Sequence, residues 1–80
     1  MRKADSDFMK RVAKTIVENQ VKYGSPPETK RALERLMKAG HSRRAAVDRI
    51  VVAVRPEVWR VLQGATMDRE KFRLLLEHAK

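Results

Sequence analysis

Ala45-Ala46-Val47-Asp48-Arg49-Ile50-Val51-Val52-Ala53-Val54, residues 45–54, form the longest apolar stretch of the chain, and the fold class depends on how they are read. Read as a helix, Ala46, Val47, Ile50, Ala53 and Val54 make one stripe, while Ala45, Val51 and Val52 add apolar surface beyond it. A helix that is apolar on most sides needs neighbours on more than one side. The reading this supports is all-α: a compact single-domain bundle of about five short helices around a central helix near residues 43–54, with residues 1–80 as the one domain. The alternative is a strand over residues 50–54, where four of five side chains are β-branched.

Outward from that stretch, local chemistry places the other helices. Asp5, Ser6 and Asp7 offer caps for a first helix over residues 7–22, with Phe8, Met9, Val12, Ala13, Ile16, Val17 and Tyr23 in one half of its wheel. Asn19 and Gln20 lie at the edge of that stripe, where their amides can cap the next loop. Ser25 followed by Glu28 has capping-box spacing and Pro is tolerated in a first turn, but Pro26 is biased away from helical ψ by Pro27, so a second helix begins at Pro27 or Glu28 and runs to Ala39. Ala32, Leu33, Leu36 and Met37 face inward there, and Glu34 and Lys38 are spaced to pair. Gly40 supplies a left-handed terminus and Ser42 caps the central helix, so the second and third helices must touch. Pro56 is expected to interrupt the central helix, because proline removes a donor and clashes with the preceding turn. A fourth helix then covers residues 56–63, with Val58, Trp59, Val61 and Leu62 inward and Gly64 ending it; a kinked continuation is the alternative. Asp68 caps a last helix over residues 69–78, with Met67 and Phe72 spaced as a hydrophobic staple.

Composition bounds the function. The chain has 80 residues, 19 Lys and Arg against 10 Asp and Glu, a formal charge of +9, and no Cys. At this size about 60–65% of the unfolded surface is buried, and neither a disulfide nor a thiolate metal site adds stability. Residues 1–10 carry charges of both signs and no apolar run, and no uncharged apolar run approaches the roughly 20 residues of a membrane span. A soluble, cytoplasmic protein is expected. The positive excess raises the prospect of a polyanionic partner, although it is spread along the chain and only the fold can gather it into a patch.

The runs Glu18-Asn19-Gln20, Pro26-Pro27-Glu28-Thr29, Leu33-Glu34-Arg35-Leu36-Met37 and Gly40-His41-Ser42 resemble a family of small uncharacterised bacterial helical proteins of unknown function. Pro56-Glu57-Val58-Trp59-Arg60-Val61-Leu62 and Asp68-Arg69-Glu70-Lys71-Phe72 extend the resemblance over residues 18–75. It implies a helical fold and no mechanism. Pro56 departs from the family where a helix-favouring residue is usual, and Arg43-Arg44 depart where acidic residues are commoner. A looser similarity, to ubiquitin-associated-like three-helix modules, runs through Leu36-Met37, Ala39-Gly40-His41, Ala46, Ile50 and Leu62; it concerns topology alone, and His41 and Ala39 depart from that pattern.

Candidate sites are few. Lys30, Arg31, Arg35, Arg43 and Arg44 cluster in sequence around the Gly40 turn and form the candidate polyanion-binding set. The second helix, the Gly40 turn and the third have the outline of a helix-turn-helix, but a reading helix needs a polar face and this one is the most apolar of the chain. Arg44 and Asp48 are, moreover, spaced to pair with each other. Phe8, Trp59 and Phe72 occupy core-like positions, which leaves no stacking platform for single strands. His41 and His78 are far apart, with no phosphate loop and no ligand cluster at metal spacing. No enzyme activity, cofactor, metal, small-molecule substrate or membrane association is therefore expected. The leading expectation is a non-catalytic interaction module that binds a protein partner or a second copy of itself through excess apolar surface at Val52 and the Val58/Trp59 region. Electrostatic binding of RNA or DNA by the basic face around Gly40 is the alternative.

Overall fold

A computed structural model describes residues 3–24 and 26–80, with side-chain surroundings from Asp7 onward. Four helices follow one another: α1 (Lys3–Tyr23), α2 (Pro27–Lys38), α3 (Arg43–Leu62) and α4 (Arg69–Glu77). No strand occurs among the described residues, so the β-branched run at residues 50–54 is helical. α3 is the hub and packs against each of the other three, while α2 also touches α1 and α4. The core takes Met9, Ala13 and Val17 from α1 at four-residue spacing, and Ala32, Leu33 and Leu36 from α2. α3 adds Ala46, Val47, Ile50, Val51, Val54 and Val58, and Phe72, Leu76 and Ala79 close it from the C-terminal side. The stretch that decides the fold thus lies at its centre.

The main correction concerns Pro56. α3 runs unbroken through it, so the expected third and fourth helices are one and the bundle has four helices among the described residues instead of about five. Proline in a helix interior costs about 3 kcal/mol. Against that, Val51 and Val54 before it and Val58 after it are buried along one stripe, and each apolar side chain buried contributes about 1.5–3 kcal/mol. Ending the helix at Arg55 would turn Val58 out of that stripe. Pro56 itself points to solvent, and so does Val52, whose carbonyl is the one left without a donor four residues back.

The helix ends follow local chemistry at Ser42, Asp68, Gly40 and Gly64, and depart from it at the start of α1. The Ser42 hydroxyl accepts from the Ala45 N–H at 3.1 Å, and the Asp68 carboxylate accepts from the Lys71 N–H at 3.1 Å. After α2 the Gly40 N–H donates to the Met37 carbonyl and the His41 N–H to that of Leu36, the paired bonds of a Schellman ending, with Gly40 at φ 108°. Gly64 and Ala65 repeat that pattern on Val61 and Arg60. At α1 the expectation fails: the helix is already formed at Lys3, so Asp5, Ser6 and Asp7 lie inside its first turns instead of capping it. Acidic residues are favourable anywhere near the positive end of a helix, so their presence does not fix the cap. The Ser25 capping box falls outside the described residues, and α2 begins after Pro26 with no side-chain cap.

Several inward assignments are also corrected. Phe8, Tyr23, Met37, Trp59 and Leu62 are exposed. Each sits at the margin of its stripe or in the last turn of its helix, where the bundle offers no facing element. Neither Glu34–Lys38 nor Arg44–Asp48 closes as an ion pair. Among the described residues the pairs are Glu18–Arg43, Glu57–Arg60 and Arg73 with both Glu70 and Glu77.

Candidate interaction surface

Two polar contacts inside the bundle fix how its faces are presented. Glu57 is buried on the stripe of Val54 and Val58, and its carboxylate accepts from the Asp68 backbone N–H at 2.7 Å and from Arg60 Nη1 at 2.6 Å. It therefore ties the last turns of α3 to the start of α4. Thr29, also buried, donates from Oγ1 to Gln20 Oε1 at 2.8 Å and ties α2 to α1, so the Gln20 amide meets a side chain inside α2 and not the loop it was expected to cap. No buried side-chain polar atom among the described residues lacks a partner.

The five candidate basic residues are exposed but do not share one face. Arg35 Nη2 donates to the Leu76 carbonyl at 3.0 Å, so it belongs to the α2–α4 seam. Arg43 holds Glu18 through both guanidinium nitrogens, at 3.1 and 3.3 Å, so it belongs to the α1–α3 seam. Lys30 and Arg35 stand about 140° apart around α2, at the 100° per residue that 3.6 residues per turn imply. Lys30, Arg31 and Arg44 make no ion pair among the described residues.

What sequence reasoning partly missed is an apolar face. The outer side of α3 carries Val52 at 59% exposure, Trp59 at 38% and Leu62 at 43%, with exposed Pro56 beside them. Of the apolar surface that the sequence leads one to expect, Val52 and Trp59 are exposed and Val58 is buried. The seven-residue step from Val52 to Trp59 returns to nearly the same side of the helix, which is the signal that joins them. Beside this face two shallow depressions of about 370 and 450 Å³ lie along the α3–α4 seam, His78 lining both. Their walls include Val52, Ala53 and Pro56 from α3 and Leu74 and Leu75 from α4.

A larger depression, about 510 Å³, lies between the starts of α2 and α4 around Phe72, Met67 and Arg73. Of the two arginines that line it, Arg69 and Arg73, the latter is engaged: Arg73 hydrogen-bonds Glu70 and Glu77. The hydrogen bond from Arg73 holds the Glu70 carboxyl below its ordinary value, and the same contact raises the Arg73 guanidinium. Among the described residues no group of three His, Cys, Asp or Glu side chains is placed to hold a metal ion, and no helix is long and apolar enough to cross a membrane. No family model, curated protein or solved structure matches the chain.

Proposed function

We propose that the chain is a non-catalytic helical module that works by binding a protein through the outer face of α3. The observation that carries this reading is the run of exposed apolar side chains Val52, Pro56, Trp59 and Leu62 on a helix whose opposite side forms the centre of the core. Scattered exposed apolar residues are ordinary; what supports the reading is that these fall on one side of the helix that packs against all three others. Tryptophan is, in addition, among the residue types that dominate interface energetics. A photo-crosslinking residue placed at position 59, and separately at position 31, tests it in cells. Protein adducts at 59 and none at 31 support the reading. Adducts at 31 alone, or at neither position, count against it.

A second reading, electrostatic binding of RNA or DNA, is favoured by the free charges of Lys30, Arg31 and Arg44 and by the overall +9. Titration into labelled single-stranded RNA and duplex DNA discriminates. Affinity that falls with salt along the slope of several phosphates, and is lost in Arg31→Glu/Arg44→Glu, favours nucleic acid. Absence of binding at low salt reduces the charge to a solvated shell.

A further inference from the structure

We propose that the outer face of α1 is a track for single-stranded nucleic acid, with bases against its rings and phosphates along its basic edge. The site lies on a different helix from the protein-binding face, so the two stand or fall separately. Phe8, Arg11, Thr15, Asn19, Lys22 and Tyr23 are all exposed. At 100° per residue they fall within about 120° of the helical wheel, on the side turned away from the Met9, Ala13 and Val17 stripe that enters the core. A core position for Phe8 argued against a stacking platform. Its exposure of 55%, with Tyr23 at 72%, puts two rings on this surface.

Each ring has a cation beside it. Lys22 Nζ lies 5.4 Å from the centroid of the Tyr23 ring. At the other end, a depression of about 460 Å³ is walled by Phe8, Val12 and Ile16, with Arg11 and Thr15 on its polar side. That make-up suits a nucleobase, whose face takes hydrocarbon and whose edge takes hydrogen bonds. Lys14, one turn on from Arg11, continues the basic edge. Arg11, Lys14 and Lys22 make no ion pair among the described residues. From Asp7 onward α1 carries two carboxylates, Asp7 and Glu18, both outside the sector that holds the rings, and Glu18 is held by Arg43 of α3. Asp7 alone therefore stands against three cations, and the edge is positive.

The arrangement selects among polyanions. Rings at positions 8 and 23 stand about 22 Å apart along the helix, with Thr15 and Asn19 between them. A bilayer would leave that hydroxyl and amide without partners, and the continuous apolar stripe of α1 is already spent on the core. An acidic helix would find the cations but no unbroken apolar strip to lie on. A second copy would bring the same positive edge, with no carboxylate inside the ring sector to meet Arg11 and Lys22. Duplex DNA offers phosphates but keeps its bases paired. An unpaired strand uses all the parts: bases stack on Phe8 and Tyr23, base edges meet Thr15 and Asn19, and phosphates follow Arg11, Lys14 and Lys22.

The test titrates the full chain into fluorescein-labelled twelve-nucleotide probes, oligouridylate, oligothymidylate and a mixed-sequence duplex, with polyglutamate and phosphatidylglycerol vesicles as other anions. At least one single strand is expected to bind about tenfold more tightly than the duplex or polyglutamate. Its log–log salt slope should lie near −2, at about −0.7 for each of three neutralised phosphates. Phe8→Ala/Tyr23→Ala should cost about tenfold in affinity at an unchanged slope, whereas Arg11→Glu/Lys22→Glu should weaken binding and flatten the slope. Arg31→Glu/Arg44→Glu should change single-strand affinity less than about twofold at physiological salt, which separates this face from the basic set around Gly40. Far-ultraviolet CD checks each variant; where the loss of Phe8 disturbs folding, Tyr23→Ala, at the most exposed ring, carries the test. Duplex or polyglutamate binding as tight as the single strands, or affinity indifferent to both rings, overturns the proposal. So does a loss centred on Arg31 and Arg44, ring-dependent binding of the vesicles or ring-dependent self-association without strand binding, or no binding at low salt. Protein adducts at position 59 bear on the α3 face alone and are unaffected by any of these results.

Discussion

Glu57 is the residue that most directly joins the core to the exposed surface. Its carboxylate is the acceptor for a backbone N–H at the start of α4 and for Arg60, so truncation leaves the Asp68 N–H without its acceptor, while the exposed Arg60 guanidinium turns to water. Glu57→Ala is expected to cost about 1–3 kcal/mol, seen as a lower urea midpoint at unchanged slope; an unchanged midpoint would mean that water replaces the carboxylate. Its role was half legible, because Glu57 falls seven residues after Ile50 on an otherwise apolar stripe, but nothing local marks Asp68 as its partner. Glu70 offers a pH test. Its folded pKa is depressed by the Arg73 hydrogen bond, so the contact stabilises above the unfolded pKa and the contribution disappears as pH falls through the folded one. Arg73→Gln should move the Glu70 carboxyl titration, followed by carbon NMR, up toward its ordinary value, and a titration that stays put would deny the contact in solution. Two of the basic candidates engage partners that local spacing does not reveal, since Arg35 and Arg43 find theirs 41 and 25 residues away.

At the scale of elements, the ends marked by Ser42, Asp68, Gly40 and Gly64 were readable, while the start of α1 and the passage of α3 through Pro56 were not. Ser42 and Asp68 cap α3 and α4 as their chemistry dictates, and the glycines at 40 and 64 close α2 and α3, because each of these signals acts within four residues. Pro56 was misread since its local penalty is outweighed by burial that only the assembled bundle provides. It remains a cost borne by α3. Pro56→Ala, on an exposed position, restores a donor for the Val52 carbonyl and should raise stability by about 2 kcal/mol after allowing for the looser unfolded chain. Thermal or urea unfolding checks the sign. A loss of stability would instead mean that the proline shapes α3 to fit its neighbours. The exposed ends of the stripes, Phe8 and Tyr23 on α1 and Leu62 on α3, show the limit of wheel reasoning: periodicity says which side is apolar but not how far the neighbouring helices reach.

At the scale of the whole molecule, α3 does two jobs with its two sides. One side gathers α1, α2 and α4 into a core, and the other presents Val52, Pro56 and Trp59 to solvent. The all-helical class and the central position of residues 45–54 were legible because hydrophobic periodicity is a property of the sequence. The candidate site was legible only in part, since a surface exists where neighbours are absent, and absence is decided by packing. The most direct test is quantitative affinity capture from extract of the source cells, comparing the native chain with Val52→Asp/Trp59→Ser before and after nuclease treatment. Both substitutions lie on exposed positions, and a matching CD spectrum shows that the fold is kept. The expected result is a protein retained by the native chain, unaffected by nuclease and reduced about tenfold by the double substitution. Capture that nuclease abolishes, or that the substitutions leave unchanged, would contradict a binding role for the outer face of α3.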